Sequence, residues 1–290
     1  MRSLLFVPAT DRRKLDKALT SGADVVIVDL EDSVAASAKA AGRAAMVEFV
    51  AALAGLAERP RLHVRINGFG SGLTDADLDA AVAAGADGIM LPKAGGGPDV
   101  TRLDAKIAVA EAVHDVPEGR TRVVAIVTET AHAVFQTGTY RGATRRLSGM
   151  AWGAEDLSAD LGATAARDPD GGFLDTFRLA RALTLLGAVA AEVAPIDGVF
   201  TDFRDLDGLA AECREAARDG FTAKMAIHPA QVPVINAAFT PTAEAIAEAE
   251  RIVAAFAAAG DPGVIALDGA MLDRPHLLRS RRVLARAGVA

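Results

Sequence analysis

An apolar run at 150–162, MAWGAEDLSADLG, breaks on two consecutive acids, Glu155 and Asp156, and then turns through small and polar residues. Two carboxylates at the mouth of a strand repel each other and lose hydration unless a cation sits between them and other groups. Magnesium is the usual partner of an oxygen-only ligand set. A local reading competes, because acids also cap helices or complement the dipole of a first turn. Repetition favours chemistry: other apolar stretches also end on charged or polar residues. These are Asp29, Glu31 and Asp32 on the second stretch, Arg65 and Asn67 on the third, Lys93 on the fourth, Glu129 on the fifth, Asp202 on the seventh and His228 on the eighth.

The elements that must position these groups alternate short β-rich runs with Ala-rich stretches of helical period, the pattern of a parallel sheet wrapped by helices. Strands are expected near 4–8, 25–30, 62–66, 88–92, 123–128, 147–153, 198–201 and 225–228. Eight strand–helix units predict an α/β fold of the closed (β/α)8 TIM-barrel type, in which strand ends converge on one face. An open doubly wound sheet would carry a glycine-rich phosphate turn after its first strand. Here that turn reads VPATDRRK, and Gly95, Gly96 and Gly97 read as a flexible loop.

The barrel is assigned to 1–238 and a C-terminal helical extension to 239–290. Within the extension, an Ala- and Glu-rich helix at 241–260 precedes Asp268, Gly269, Asp273, Arg274 and Pro275, which read as a loop leading into a basic terminal helix. Such a tail would serve as a lid or as an arm onto a neighbouring subunit.

Composition narrows the function classes. Of 290 residues 51% are hydrophobic but only 4% aromatic, so the core is built from Ala, Val, Leu and Ile. A net charge of −7, from 31 basic and 38 acidic residues, speaks against nonspecific nucleic-acid binding. The single Cys213 excludes an intrachain disulfide and a cysteine-clustered zinc site, and its helical surroundings suit a structural role. His63, His114, His132 and His276 lack the paired spacing of a transition-metal site. No apolar window suits a secretory signal or a membrane span, so a soluble, cytoplasmic protein is expected.

The ordered motifs LLFVPA, VDLEDSV, VRIN, LPKA, the Thr128–Glu129 pair, WGAEDLSADLG, TDFRD, GFTAKMAIHP and GAMLDRP run almost end to end. In them the chain resembles the HpcH/HpaI aldolase/citrate lyase family, which includes the citrate lyase beta subunit and malyl-CoA and citramalyl-CoA lyases. The resemblance implies a (β/α)8 barrel with Mg²⁺ held by Glu129 and Asp156, and metal-bound waters held by Glu31 and Asp32. It implies substrate binding by Glu129 and by Arg65, which meets the substrate's carbonyl or carboxylate oxygens, and an aspartate base, Asp273, that can come from an adjacent protomer. It further implies coenzyme A phosphates on Arg13, Lys17 and Lys39, and a homotrimer or hexamer.

The expected activity is Mg²⁺-dependent cleavage of a carbon–carbon bond in a CoA thioester of a hydroxy acid, such as citryl-, malyl- or citramalyl-CoA. Arg65, with its planar set of donors, would stabilise charge developing on oxygen. Two alternatives stay open: a malyl-CoA thioesterase or malate-synthase-like enzyme, and a citrate lyase beta subunit served by an acyl-carrier protein. Several residues have plainer readings. Arg65 could pair with a strand-end acid, Asp273 could cap a helix, and His228 could bond a loop. Lys93 suits an electrostatic or structural role better than a Schiff base, and Trp152 suits core or pocket wall.

Overall fold

The computed structural model describes residues 1–53 and 55–289. Eight parallel strands close into a barrel in sequence order: β1 Ser3–Pro8, β2 Val25–Asp29, β3 Arg61–Arg65, β4 Gly88–Leu91, β5 Arg122–Ile126, β6 Leu147–Ala151, β7 Ala194–Asp197 and β8 Ala223–Ala226. The helices in chain order are α1 Arg12–Ala18, α2 Lys39–Leu53, α3 Thr74–Ala83, α4 Gly97–Val113, α5 Ala131–Val134, α6 Ala154–Leu161, α7 Asp175–Ala190, α8 Leu206–Asp219, α9 Gln231–Phe239, α10 Ala243–Ala258 and α11 Arg274–Ala287. A hairpin of β9 Val264–Leu267 and β10 Ala270–Asp273 lies between α10 and α11.

Every residue of β2 is buried, as expected of a strand covered on both faces. Val25, Ile27, Met90, Val124, Ile126, Ile196 and Met225 meet in one core cluster inside the barrel. The alternate residues face the helical layer. There α7 presents Phe177, Ala180, Arg181, Thr184 and Ala188 at helical spacing. Small side chains let helix and sheet approach, which explains a core so poor in aromatics.

Two strands lie upstream of where the sequence pattern places them. The seventh is APID at 194–197, not 198–201, and the eighth is AKMA at 223–226, not 225–228. Pro195 and Asp197 argue against a strand when read alone. Asp197 is nevertheless completely buried, because Lys224 and Arg181 each contact its carboxylate, at 2.8 and 2.9 Å. Ile227 and His228 lie beyond β8, where both amides donate to the Gln231 side chain.

The chain divides into two compact units, residues 1–236 and 237–290, the break falling within α9. In the second unit Ile252, Phe256 and Leu277 form the core, with Ile265, Leu267 and Leu272 packed against it. Asp268 and Gly269, read from sequence as part of a loop, are the tight turn of the hairpin, both at positive φ (51° and 80°). That backbone suits a two-residue hairpin turn and favours glycine at its second position. Among the described residues no helix is long and apolar enough to cross a membrane.

Candidate active site

The strand ends of the first unit open on a cavity of about 430 Å³ lined by residues including Asp29, Asp32, Arg65, Glu129, Trp152, Glu155 and Asp156. The arginine is the best-fixed of these. Its Nε and Nη2 donate to the two oxygens of Asp29, each at 2.7 Å. Its Nη1 lies 3.0 Å from Glu31 Oε2, and its guanidinium stands 4.8 Å from the centre of the Phe6 ring. The bidentate fork fixes the plane of the guanidinium. The plainer reading of Arg65 as an ion-pair partner is therefore correct, and the same pairing aims the remaining N–H groups.

Glu129 follows β5 and is almost completely buried. Its Oε2 accepts a hydrogen bond from the backbone N–H of Lys93. Burial pushes its carboxyl up to about 8, the charges of Asp156 and Glu31 adding to that rise against the pull of Lys93. The turn from β6 into α6 passes close by, and a Cβ on Gly153 would stand 2.9 Å from Glu129 Cγ, so only glycine leaves room there. The first turn of α6 then carries Glu155 and Asp156. Neither caps the helix, since the N-cap is Gly153.

Lys93 is the centre of charge among these acids. Its Nζ bonds Glu31 and lies 3.1 Å from Asp156 Oδ1 and 3.3 Å from Asp32 Oδ2. Burial opposes its charge, but Glu31, Glu129 and Asp156 outweigh it and hold the proton more tightly than on an ordinary lysine. An amine kept protonated is no Schiff-base nucleophile, which supports the electrostatic reading.

Whether the residues suit a magnesium ion is decided by their donor chemistry. Among the described residues no three His, Cys, Asp or Glu side chains converge as a ready coordination shell. Magnesium does not require that, because it keeps several waters and is commonly bound through one or two carboxylates plus substrate oxygens. Glu129 and Asp156 supply such a pair beside an open cavity, and the buried Glu129 is a carboxyl that a nearby cation would ionise. The set fits.

A second cavity of about 450 Å³ shares Phe6, Pro8 and Ile227 with the first and is lined by Arg13, Lys14 and Lys17. Lys39 is placed differently. Its Nζ donates to the carbonyl oxygens of Leu30 and Glu31, both at 2.8 Å, so it braces the β2 loop. His228 also lines this second cavity, stacked on Phe203 with ring centres 4.9 Å apart. Asn67 bonds Asp77 and the Leu30 carbonyl, and exposed Asp202 accepts from the amide of Arg204. Cys213 is buried and its thiol is pushed up to about 12, as a structural cysteine would be.

Two partners escape sequence reasoning. The sequence allows Arg65 to pair with a strand-end acid but does not single out Asp29, to which the run VDLEDSV gives only a general pointer. Trp152 donates its Nε1–H to the buried Asp197 at 2.8 Å while also lining the first cavity, so it is both core and pocket wall. Asp273, on the second unit, is the N-cap of α11, with its Oδ1 2.6 Å from His276 Nδ1.

Fold and site together define a TIM-barrel enzyme with its carboxylates and one clamped arginine gathered at the strand ends. Comparison with known families is specific: residues 2–229 match the HpcH/HpaI aldolase/citrate lyase model, and residues 175–289 match a carbon–carbon bond lyase model of the TIM-barrel fold. The chain belongs to the HpcH/HpaI aldolase/citrate lyase family. A citrate lyase subunit beta-like protein of Mycobacterium tuberculosis is 36% identical, over 99% of this chain and 95% of the relative. A (3S)-malyl-CoA thioesterase of Cereibacter sphaeroides is also 36% identical, over 99% and 94%. The crystal structure of the M. tuberculosis protein CitE in complex with magnesium, acetoacetate and coenzyme A superposes with a TM-score of 0.78 at 37% identity, covering 99% of this chain and 98% of that one.

Proposed function

We propose that this protein is a magnesium-dependent lyase that cleaves a carbon–carbon bond in a CoA thioester of a hydroxy acid, with citryl-, malyl- and citramalyl-CoA as the candidate substrates. The observation that carries the reading is Arg65, locked by Asp29 on the wall of a cavity that also holds Glu129 and Asp156. Cleavage leaves the electron pair of the broken bond on the thioester fragment as an enolate, which is the costly species. Donors fixed in advance stabilise such charge without reorganising.

Glu129 and Asp156 would hold the metal, with Glu31 and Asp32 behind them. When bound, magnesium supplies a Lewis acid for the substrate's carboxylate and hydroxyl oxygens. Arg65 would donate its free N–H groups to the oxygen that gains charge. In the cleavage direction the hydroxyl proton would leave to water as the carbonyl forms, and Asp273, from its own or a neighbouring subunit and protonated from solvent, would return one proton to the α-carbon of the enolate; in the condensing direction the carboxylate would remove it. Arg13 and Lys17, at the adjoining cavity, would take the phosphates of coenzyme A, while Lys39 orders the loop that carries Glu31. Action as a cytoplasmic homotrimer or hexamer belongs to the same reading.

The thioesterase relative motivates a second reading, in which water finishes the reaction on the thioester. Product analysis with malyl-CoA separates the two. A lyase yields acetyl-CoA and glyoxylate; a thioesterase yields malate and free CoA. A third outcome, turnover only of a thioester carried on an acyl-carrier protein, would assign the chain to a citrate lyase complex.

A further inference from the structure

We infer that Lys93 is the resident counter-ion of the carboxylate centre and competes with a divalent cation for it, so that this lysine sets how tightly metal binds. The inference rests on the reading that Glu129 and Asp156 are the metal ligands. It goes further by giving a role to a residue that is neither a ligand nor a base.

One residue reaches all four acids. The ammonium contacts Glu31, Asp32 and Asp156, and the backbone N–H of the same residue bonds Glu129. Lys93 holds this position with φ at +52°, a left-handed backbone that non-glycine side chains adopt only at a cost. The other cation nearby, Arg65, is tied to Asp29 and Glu31 and stands 3.8 Å from Asp32, so among the described contacts Lys93 alone supplies positive charge to Asp156.

A divalent ion that binds through Asp156 Oδ1 competes with the ammonium for that oxygen, and an ammonium pushed off it keeps Glu31 and Asp32 as partners. The ammonium also repels the ion across a few ångströms. Both effects lower metal affinity below that of the bare carboxylates, which keeps metal exchangeable and makes its retention depend on substrate oxygens.

The test uses Mn²⁺ as the probe, with free ion followed by electron paramagnetic resonance during titration of the full-length chain. Wild type is compared with Lys93→Met, Lys93→Arg and Lys93→Gly, the last suited to the left-handed backbone and therefore adding no strain. Removal of the charge in the Met and Gly variants is expected to tighten Mn²⁺ binding by about tenfold or more. The Arg variant, which keeps the charge, should stay near wild type. The Mg²⁺ concentration giving half-maximal activity should fall in the same variants. Equal or weaker Mn²⁺ binding without the charge overturns the inference and leaves the metal reading intact. Failure of every form, wild type included, to bind Mn²⁺ overturns both.

Discussion

Asp29 engages both of its oxygens with one arginine, and that pairing decides which donors of Arg65 reach the cavity. Asp29→Asn keeps the volume but loses the charge and one acceptor, so the guanidinium plane is no longer fixed. Removing one fixed anion-stabilising donor lowers turnover by about 10²–10³, and loosening one should cost less. Steady-state kinetics should show kcat/KM reduced by roughly 10–100-fold in Asp29→Asn, with a larger loss in Arg65→Lys, whose ammonium cannot form the fork. Unchanged kinetics in Asp29→Asn would remove the clamp from the account.

His63, on β3, acts on stability rather than chemistry. It is buried, its Nδ1 has no hydrogen-bond partner among the described residues, and burial lowers its imidazole from 6.5 to about 4. The unfolded chain therefore takes up a proton near pH 6.5 that the folded chain refuses until about pH 4. Its contribution is intact above pH 6.5 and is lost as pH falls towards 4, up to about 3 kcal/mol. Urea melts between pH 7 and 4.5 should lose part of that dependence in His63→Phe; an identical pH profile would count against it.

At the scale of the elements, the barrel is legible because most of its first six strands carry a continuous apolar run and its helices follow the 3.6-residue period. The last two strands are misplaced in sequence because each carries a buried charge whose partner lies elsewhere. Asp197 reads as a loop residue until Lys224 from β8 and Arg181 from α7 are placed against it. Burial alone would raise its carboxyl, but these two cations hold it well below the usual range. The acids proposed as metal ligands, Glu129 and Asp156, are legible for the opposite reason: they sit just past strands of plain apolar pattern. The clamp on Arg65, the reach of Lys93 and the bracing role of Lys39 depend on contacts between elements, which spacing does not encode.

This network also anchors the β6–α6 turn. Trp152 is bonded to Asp197, and Gly153, the residue after it, packs against Glu129. Lys224→Met would leave the Asp197 charge short of a partner, and breaking one member of a buried pair typically costs about 3–5 kcal/mol. Chemical denaturation should show a loss of that order. Trp152 is the only tryptophan in the chain, so its fluorescence reports the turn directly. Asp197→Asn should shift that emission and weaken Mn²⁺ binding together; a shift with unchanged metal affinity would uncouple the anchor from the site.

For the whole molecule, an acidic chain with local basic groups beside its cavity suits a small anionic substrate better than a nucleic acid. The second unit carries Asp273, which is tied to His276 at the start of α11 and is proposed as the base or acid of the reaction. Asp273→Asn should lower kcat by about 10²–10⁴, the usual range for losing a general acid or base, while leaving Mn²⁺ affinity unchanged. Loss of metal binding in that variant would instead place Asp273 among the ligands or reveal a broken fold.

Whether the carboxylate centre cleaves with a metal is read from product release on malyl-, citramalyl- and citryl-CoA, with Mg²⁺ and with chelator, for wild type beside Glu129→Gln. Turnover to acyl-CoA and a keto acid is expected on at least one thioester, abolished by chelator and reduced by orders of magnitude in the variant. Turnover that survives chelation, or a Glu129→Gln enzyme as active as wild type, would contradict metal-dependent cleavage by this centre.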